Sequence, residues 1–230
     1  MIPDSRVNLI PAEVKALVFD CDGTLVDTMP IHWKAWCKIC KDTGLVFHKT
    51  DFYTLAGVPG KKIINVLAKQ QGIKLDPFAI YDRKRKYFLE GLTSVSGIQC
   101  VVRIAEEAHR MGIPIAVASG SSRGQVQKAL KLAGIDNLFD VVLGNEDYTE
   151  HKPKPDAFLT AASRLGINPE DCWGFEDTDI GLEAIREAGF YRVTDVRQME
   201  GYPIRTDENG LEITNHTTEF HSLRYRAFTM

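Results

Sequence analysis

Five short apolar runs, rich in β-branched residues, alternate with helical patterns along most of the chain. These runs lie at 15–19, 113–118, 140–143, 172–175 and 191–196. Their composition is typical of parallel strands that are buried on both faces. Between the later runs apolar residues recur at steps of three and four, as they do in amphipathic helices. The alternation predicts right-handed βαβ units, and therefore an α/β fold with a Rossmann-like parallel sheet.

The stretch after the first run interrupts this alternation. Residues 28–93 contain no comparable strand run, and three helical patterns cover 30–43, 60–71 and 77–90. We therefore predict a core domain formed by 1–27 and 94–200, with a small helical cap domain inserted at 28–93. Residues 201–230 are polar and rich in turn residues, and they predict a packed tail or a short hairpin around Asn209-Gly210.

Composition and charge narrow the function classes. The chain has 230 residues, 44% hydrophobic and 26% charged, with a formal net charge of −3. It lacks the basic surplus typical of proteins that bind nucleic acid or anionic membranes. No apolar stretch reaches the roughly 18 residues that a membrane span needs, and the N-terminus lacks the order of a signal peptide. We expect a cytoplasmic protein with no nucleic-acid or membrane partner; its oligomeric state stays open, with a monomer the simplest form.

Polar residues stand where the predicted strands end. Asp20 and Asp22 follow the first run, Ser119 follows the second, and Glu176-Asp177 follow the fourth. Lys152 lies on the connection after the third run. Ligands of open α/β sheets bind outside the carboxyl ends of the strands, so these side chains should meet at one crevice.

Four carboxylates at one crevice require a cation. Two carboxylates 4 Å apart repel by up to ~4 kcal/mol at an effective dielectric constant of about 20, and Lys152 offers only one positive charge. Carboxylate ligands suit Mg²⁺, which also takes a substrate phosphate oxygen. One aspartate can attack phosphorus, and a carboxyl group two residues on can protonate the leaving oxygen and later activate water. The residues thus indicate Mg²⁺-assisted phosphoryl transfer.

Four motifs, in this order along the chain, resemble the haloacid dehalogenase-like (HAD) superfamily. They are DCDGTLVDT at 20–28, Ser119 in VASGSS, Lys152 in HKPKPDAF, and Glu176-Asp177 in GFEDTDIG. A small helical insertion directly after the first motif resembles the β-phosphoglucomutase-like group, and TDVR at 194–197 is similar to bacterial sugar-phosphate phosphatases. The resemblance implies a HAD-like fold and a phosphoric monoester hydrolase.

The resemblance also implies a role for each motif residue. Asp20 would be the nucleophile and a metal ligand, and Asp22 would be the general acid/base, binding Mg²⁺ through its backbone carbonyl. Ser119 would hydrogen-bond the transferring phosphoryl group, and Lys152 would neutralise its charge. Glu176 and Asp177 would complete the metal site.

Residues next to the motifs are candidates for substrate binding. Gly120, Ser121 and Arg123 follow Ser119 at the start of a predicted helix, where anions are favoured. His32 has two interpretations: it orients Asp22 when the cap closes, or it packs at the hinge. Asp179 is predicted to be the N-cap of the helix after the fourth motif.

The expected substrate is a small phosphorylated metabolite, a sugar phosphate such as fructose 1-phosphate or 6-phosphogluconate, hydrolysed through an aspartyl phosphate. The alternative is a β-phosphoglucomutase, which converts β-glucose 1-phosphate into glucose 6-phosphate. The mutases that this chain resembles have a basic cap loop, KGxSR, that holds a second phosphate. In this chain residues 55–60 of the cap read LAGVPG instead. Lys61 and Lys62 follow this loop, but their place at a helix start favours solvated side chains. A simple hydrolase is therefore favoured.

Two other classes are compatible with parts of the pattern. A phospho-acceptor regulatory domain also places acids, a hydroxyl and a lysine on a parallel sheet, but it has no acid two residues after the acceptor and no inserted cap. A catalytically idle family member would lack one of the residues Asp20, Asp22, Lys152 or Asp177, and all four are present.

Overall fold

A five-stranded parallel sheet in the order β3-β2-β1-β4-β5 forms the centre of the computed structural model, which describes residues 10–213. The strands are β1 Ala16–Phe19, β2 Ile115–Ala118, β3 Val141–Leu143, β4 Cys172–Glu176 and β5 Arg192–Asp195. Each strand overlaps one of the predicted runs, so the predicted α/β fold is confirmed. β1 lies in the middle of the sheet, where Leu17 pairs with Ile115 on one side and Trp173 on the other.

Helices cover both faces of the sheet and one end of it. They are α1 Met29–Thr43, α2 Lys49–Thr54, α3 Gly60–Gln71, α4 Pro77–Gly91, α5 Gln99–Arg110, α6 Arg123–Ala133, α7 Asp156–Leu165 and α8 Asp179–Glu187. None of the helices between residues 10 and 213 combines the length and apolar character that crossing a membrane requires.

Strand β1 is fully buried because its two faces pack against different helices. Leu17 and Phe19 belong to a hydrophobic cluster with residues of α5 and α6. Ala16 and Val18, which point to the opposite face, pack with residues of α7 and α8. Successive side chains of a strand alternate between faces, and full burial of a Leu or Phe side chain stabilises the fold by about 1.5 to 3 kcal/mol. This packing fixes the end of β1, and with it the position of the first motif.

The four inserted helices, α1 to α4, form a hydrophobic cluster of their own. Its members include Trp36, Phe47, Phe52 and Ile64. Three of these helices match the predicted patterns, whereas the six-residue α2 was not predicted, because so short a helix shows no apolar periodicity. Ile180 of α8 also packs into this cluster. The insertion is helical as expected, and the division into core and cap domains stays a prediction.

Two chain segments connect the sheet to the insertion, and they pair with each other. The Asp27 amide donates to the Ser96 carbonyl at 3.0 Å, and the Ile98 amide donates to the Leu25 carbonyl at 2.8 Å. Beyond the sheet, the predicted hairpin is reduced to a single antiparallel bridge between Thr206 and Glu212. The remaining part of the predicted tail, 214–230, lies outside the described residues.

Candidate active site

A cavity of about 350 Å³ separates the carboxyl ends of the strands from the inserted helices. Cavities of this size hold small-molecule ligands. The sheet side of the lining includes Asp20, Asp22, Ser119, Gly120, Ser121, Lys152 and Glu176, and the insertion side includes Trp36, the loop 55–60, Lys61, Tyr81, Lys84 and Arg85. The structure thus brings the predicted motif residues to one crevice.

The loop of the first motif depends on Gly23. This glycine adopts φ +91°, a left-handed conformation that glycine accepts without steric cost. A side chain at this position would collide with the Asp177 carboxylate. The next residue, Thr24, donates from its hydroxyl to Asp177 at 2.9 Å. Gly-Thr after Asp22 therefore allows the loop to lie directly against Asp177.

Lys152 joins two of the predicted acids. Its Nζ donates to Asp20 Oδ1 at 2.6 Å and to Glu176 Oε2 at 2.7 Å. The lysine side chain is only 5% exposed. Burial alone would lower the pKa of Lys152, but the charges of Asp20 and Glu176 outweigh it and raise the pKa above its ordinary value. Lys152 is therefore a fixed cation beside the candidate nucleophile.

Asp20, Glu176 and Asp177 form an acidic cluster. One oxygen from each carboxylate lies within 4.8 Å of the others, and all three residues are buried. Burial and the charge of Glu176 raise the pKa of Asp20 well above its ordinary value and that of Asp177 to about 8. One ammonium group against three buried carboxylates leaves a deficit of positive charge. Oxygen donors at this spacing fit a divalent cation such as Mg²⁺.

Glu176 also has a structural role. Its Oε1 accepts hydrogen bonds from the Asp177 amide at 3.1 Å and from the Thr178 amide at 3.0 Å and hydroxyl at 2.8 Å. Thr178 in turn accepts from the Gly181 amide and is the N-cap of α8. The prediction that Asp179 is the N-cap was wrong by one residue, because Thr178 has the extended backbone that lets its hydroxyl accept this bond.

The Asp22 carboxylate is held by hydroxyl donors. Thr28 donates to its Oδ1 and Ser121 donates to its Oδ2, each at 2.6 Å. Ser119 Oγ and His32 Nε2 are each 3.4 Å from its carboxylate. Burial raises the pKa of Asp22, but the bonds from His32, Ser121 and Thr28 outweigh it and keep the pKa below its ordinary value.

Lys84 of α4 is a site residue that the sequence analysis missed. Its Nζ lies 2.8 Å from His32 Nδ1, and the histidine ring stacks on Phe88 with 3.9 Å between centroids. Burial and the Lys84 charge lower the pKa of His32, which favours the neutral ring. A neutral ring that accepts at Nδ1 carries its proton on Nε2, the atom facing Asp22. His32 therefore packs on Phe88 at the base of the insertion and faces Asp22 with Nε2, and its role in orienting Asp22 stays a prediction.

A signal for Lys84 was present in the sequence. Ile80, Lys84 and Phe88 follow one another at steps of four and form the buried face of α4. A lysine on an apolar helix face needs a partner when it is buried. The partner, His32, lies 52 residues earlier in the chain, so the pairing itself could be seen only in the fold.

Three of the four predicted substrate-binding residues line the cavity, and Arg123 does not. Gly120, Ser121 and His32 are lining residues. The Arg123 guanidinium instead pairs with Asp147, and the Arg123 amide donates to Glu146 at 3.0 Å. Two acidic side chains of the loop after β3 therefore bind Arg123: Asp147 binds its guanidinium, and Glu146 binds its amide at the start of α6. The prediction that Arg123 binds substrate is not supported by this arrangement.

The fold and the site together define a class of α/β proteins. In this class an aspartate, a lysine and an acidic cluster lie at the carboxyl ends of the strands, beneath a helical insertion. Residues 14–189 match the family of haloacid dehalogenase-like hydrolases, and the chain belongs to this family. This confirms the predicted family and the expectation of a hydrolase enzyme, and the names of its relatives support a phosphatase.

The relatives include phosphatases and mutases. The fructose-1-phosphate phosphatase YqaB of Escherichia coli is 34% identical over 181 residues, which are 79% of this chain and 95% of that protein. The β-phosphoglucomutase of Bacillus subtilis is 29% identical, and the alignment covers 78% of this chain and 82% of that one. The crystal structure of CbbY from Rhodobacter sphaeroides in complex with phosphate is 27% identical, with a TM-score of 0.70, covering 81% of this chain and 90% of that one.

Proposed function

We propose that the chain is a Mg²⁺-dependent phosphatase of a small sugar phosphate, such as fructose 1-phosphate or 6-phosphogluconate. The observation that carries this proposal is the arrangement of Asp20, whose carboxylate lines the cavity and is bound by Lys152 at 2.6 Å. Asp22, two residues later, faces the same cavity. This arrangement supports a nucleophilic carboxylate and an acid/base carboxyl group at one ligand site.

The proposed reaction has two steps. Asp22, which is ionised in the free enzyme, takes the proton of the substrate's phosphate monoanion. A carboxylate oxygen of Asp20 then attacks phosphorus, and the bond between phosphorus and the leaving oxygen breaks as Asp22 gives that oxygen the proton. Asp22, now ionised, takes a proton from water as the water attacks the aspartyl phosphate, which releases phosphate and restores Asp20. Ser119 and Lys152 hold the phosphoryl oxygens, because positioning and charge neutralisation supply most of the catalysis in phosphoryl transfer.

We assign the metal site to the carboxylates of Asp20, Glu176 and Asp177 and the backbone carbonyl of Asp22. Bound Mg²⁺ would offset the negative charge of the acidic cluster and of the phosphate group. Hydrogen bonds within the protein hold two of the proposed ligands: Thr24 donates to Asp177, and Lys152 donates to Asp20.

A sugar phosphate is favoured over a bisphosphate. The phosphatase relative named above acts, by its name, on fructose 1-phosphate. The loop 55–60 carries no basic side chain, and Arg123 is paired with Asp147 away from the cavity. Lys61 lines the cavity, but its Nζ lies 4.4 Å from the ring centroid of Phe78 and the residue is exposed. At these positions no basic side chain is free to hold a second phosphate, and this disfavours the mutase alternative, in which a bisphosphate intermediate must be retained.

The inserted helices, residues 28–93, are proposed to act as a cap. They contribute His32, which contacts Asp22, and Lys84, which contacts His32, and they cover the cavity. Closing a lid over a site excludes water until the substrate is aligned. The proposed core domain, 1–27 and 94–200, supplies the reacting carboxylates.

The test is phosphate release from a panel of sugar phosphates, with Mg²⁺ present or chelated by EDTA. A coupled assay for glucose 6-phosphate formed from β-glucose 1-phosphate runs beside it. We expect Mg²⁺-dependent release that is strongest on one or two sugar phosphates. Conversion of β-glucose 1-phosphate without release would contradict the proposal and favour the mutase.

A further inference from the structure

A segment after the family match connects the sheet with the insertion. The match ends at residue 189, yet residues 202–208, called here the C-terminal strap, contact both the first motif and the inserted helices. The strap is separate from the hydrogen-bonded pair of segments that carries the chain into and out of the insertion.

On the sheet side, the strap holds the first motif and its exit. The Tyr202 hydroxyl donates to the carbonyl of Gly23 at 2.8 Å, directly after Asp22. The Arg205 guanidinium donates to Asp27 at 2.7 Å. Asp27 is the residue whose amide pairs with Ser96, so Arg205 is attached to the point where the chain enters the insertion.

On the insertion side, the strap contacts helix α2. The Arg205 guanidinium lies 5.9 Å from the ring centroid of Tyr53, within the distance of a cation–π interaction. Glu208 accepts a hydrogen bond from the Lys49 amide at 2.7 Å, and His48 is 3.8 Å from the same carboxylate. Arg205 and Glu208, three residues apart in the strap, thus both contact α2, and Arg205 also contacts Asp27 on the sheet side.

Burial of the Arg205 guanidinium costs free energy, which its contacts must offset. Its side chain is 12% exposed, and a buried ion pair is often no more stabilising than apolar residues of similar size. Stability alone therefore does not explain an arginine here. A planar group that bonds a carboxylate and also lies over a ring fixes direction as well as distance.

We propose that Arg205 is a positioning residue that sets the position of the insertion over the cavity. It joins Asp27, where the insertion begins, to Tyr53 within the insertion, and Tyr202 and Glu208 secure the strap at either end. This inference rests on the proposed function, since the positioned groups are His32, Lys84 and the cavity residues of the insertion. The strap favours the closed arrangement, in which the insertion holds the sugar part of the substrate.

The test compares Arg205→Ala and Arg205→Lys with a control, Arg186→Ala, which changes an exposed arginine on α8. For fructose 1-phosphate, Arg205→Ala should raise KM about tenfold with a smaller change in kcat, because the closed form is less populated. For methyl phosphate, which has no sugar for the insertion to hold, KM should stay within about twofold. Arg205→Lys, which keeps the charge beside Asp27 but loses the planar group over Tyr53, should recover only part of the loss.

An unchanged KM for fructose 1-phosphate, or an equal rise for both substrates, would overturn the positioning role. If Arg205→Ala does not fold, Glu208→Ala is the second variant. It removes the hydrogen bond to the Lys49 amide and the contact with His48, and its KM for fructose 1-phosphate should rise about threefold, mainly by the loss of that hydrogen bond.

Amide hydrogen exchange separates this inference from the proposed function. Arg205→Ala should exchange faster than the wild type in α1 to α4, while α5 and α7 keep their protection. Unchanged exchange would contradict the positioning role, whether or not the wild type is active. A wild type that releases no phosphate from any sugar phosphate would contradict the proposed function, and exchange would still decide how Arg205 acts on the insertion.

Discussion

Asp20 and Asp22 differ in their surroundings although one residue separates them. Asp20 is bound by an ammonium group within a cluster of carboxylates, whereas Asp22 is held by hydroxyl groups of Thr28 and Ser121. The proposed tasks differ too, since Asp20 would attack phosphorus as nucleophile and Asp22 would exchange protons as acid/base.

Replacing each aspartate should separate these tasks. Asp20→Asn should lower kcat at least about a thousandfold, because an amide cannot form the aspartyl phosphate. Asp22→Asn should also lose turnover but keep Mg²⁺ binding, because its proposed metal contact is a backbone carbonyl. Phosphate release and Mg²⁺ titration calorimetry check both variants, and hydrolysis retained by purified Asp20→Asn would refute the mechanism.

Lys84 offers a prediction in which activity and stability change in different directions. Lys84→Met should lower kcat about 10- to 100-fold, the usual cost of losing the residue that orients a catalytic group's partner. The free energy of unfolding should be unchanged or higher, because a buried ammonium group is replaced by an apolar side chain. Kinetics and urea denaturation measure the two effects. Lys86→Met, at an exposed position on α4, is the control, and equal kcat in the two variants would argue against the role of Lys84.

At the scale of elements, Asp147 joins the loop after β3 to two helices. Its side chain is 3% exposed and accepts from Arg123 of α6, from Arg164 of α7 at 2.9 Å and from the Gly144 amide at 2.9 Å. Burial would raise the pKa of Asp147, but these donors lower it to about 2. The same contacts keep Arg123 away from the cavity.

Asp147→Ala should therefore lower the free energy of unfolding by about 1 to 3 kcal/mol, the contribution of hydrogen bonds to charged groups. Because the folded pKa is below the ordinary value, this stabilisation is present above about pH 4 and is lost as the pH falls towards about 2. Urea denaturation at pH 7 and pH 3 measures it, with Asp136→Ala, at an exposed position, as the control. A difference between the two variants that is the same at both pH values would contradict the assignment to the Asp147 charge.

Site residues that are positioned by secondary structure could be predicted from the sequence, whereas those positioned by tertiary packing could not. Asp20, Ser119 and Glu176 were predictable because strand ends position them, and buried strands are visible as apolar runs. Arg123 was mispredicted because its partner, Asp147, is brought close only by tertiary packing. The strap was missed for a related reason: Asp27 and Arg205 are 178 residues apart, and neither lies in a periodic pattern.

At the scale of the whole molecule, the proposed metal site would couple Mg²⁺ binding to stability. A cation that binds only the folded chain at 100 times its Kd adds about 2.7 kcal/mol to the free energy of unfolding, or roughly 5 to 10 °C in Tm for a chain of this size. We expect Mg²⁺ to raise Tm by this amount and EDTA to reverse it, as measured by differential scanning calorimetry.

Asp177→Asn is the matched variant for this measurement. It should lose most of the Mg²⁺-dependent rise, and without Mg²⁺ it should be at least as stable as the wild type, because one buried charge of the cluster is removed. A full rise in Tm with Mg²⁺ in this variant would place the metal elsewhere.

The Asp27 amide donates to the Ser96 carbonyl with 3.0 Å between nitrogen and oxygen, so the chain enters and leaves the insertion side by side. A unit whose ends meet can be exchanged for another of similar build at little cost in chain closure, so substrate preference can change while the reacting carboxylates stay the same. Here such an exchange has an added condition. A transplanted insertion would also need partners for Arg205 and Glu208, so the segment that must evolve, or be engineered, together with the insertion lies more than one hundred residues further along the chain.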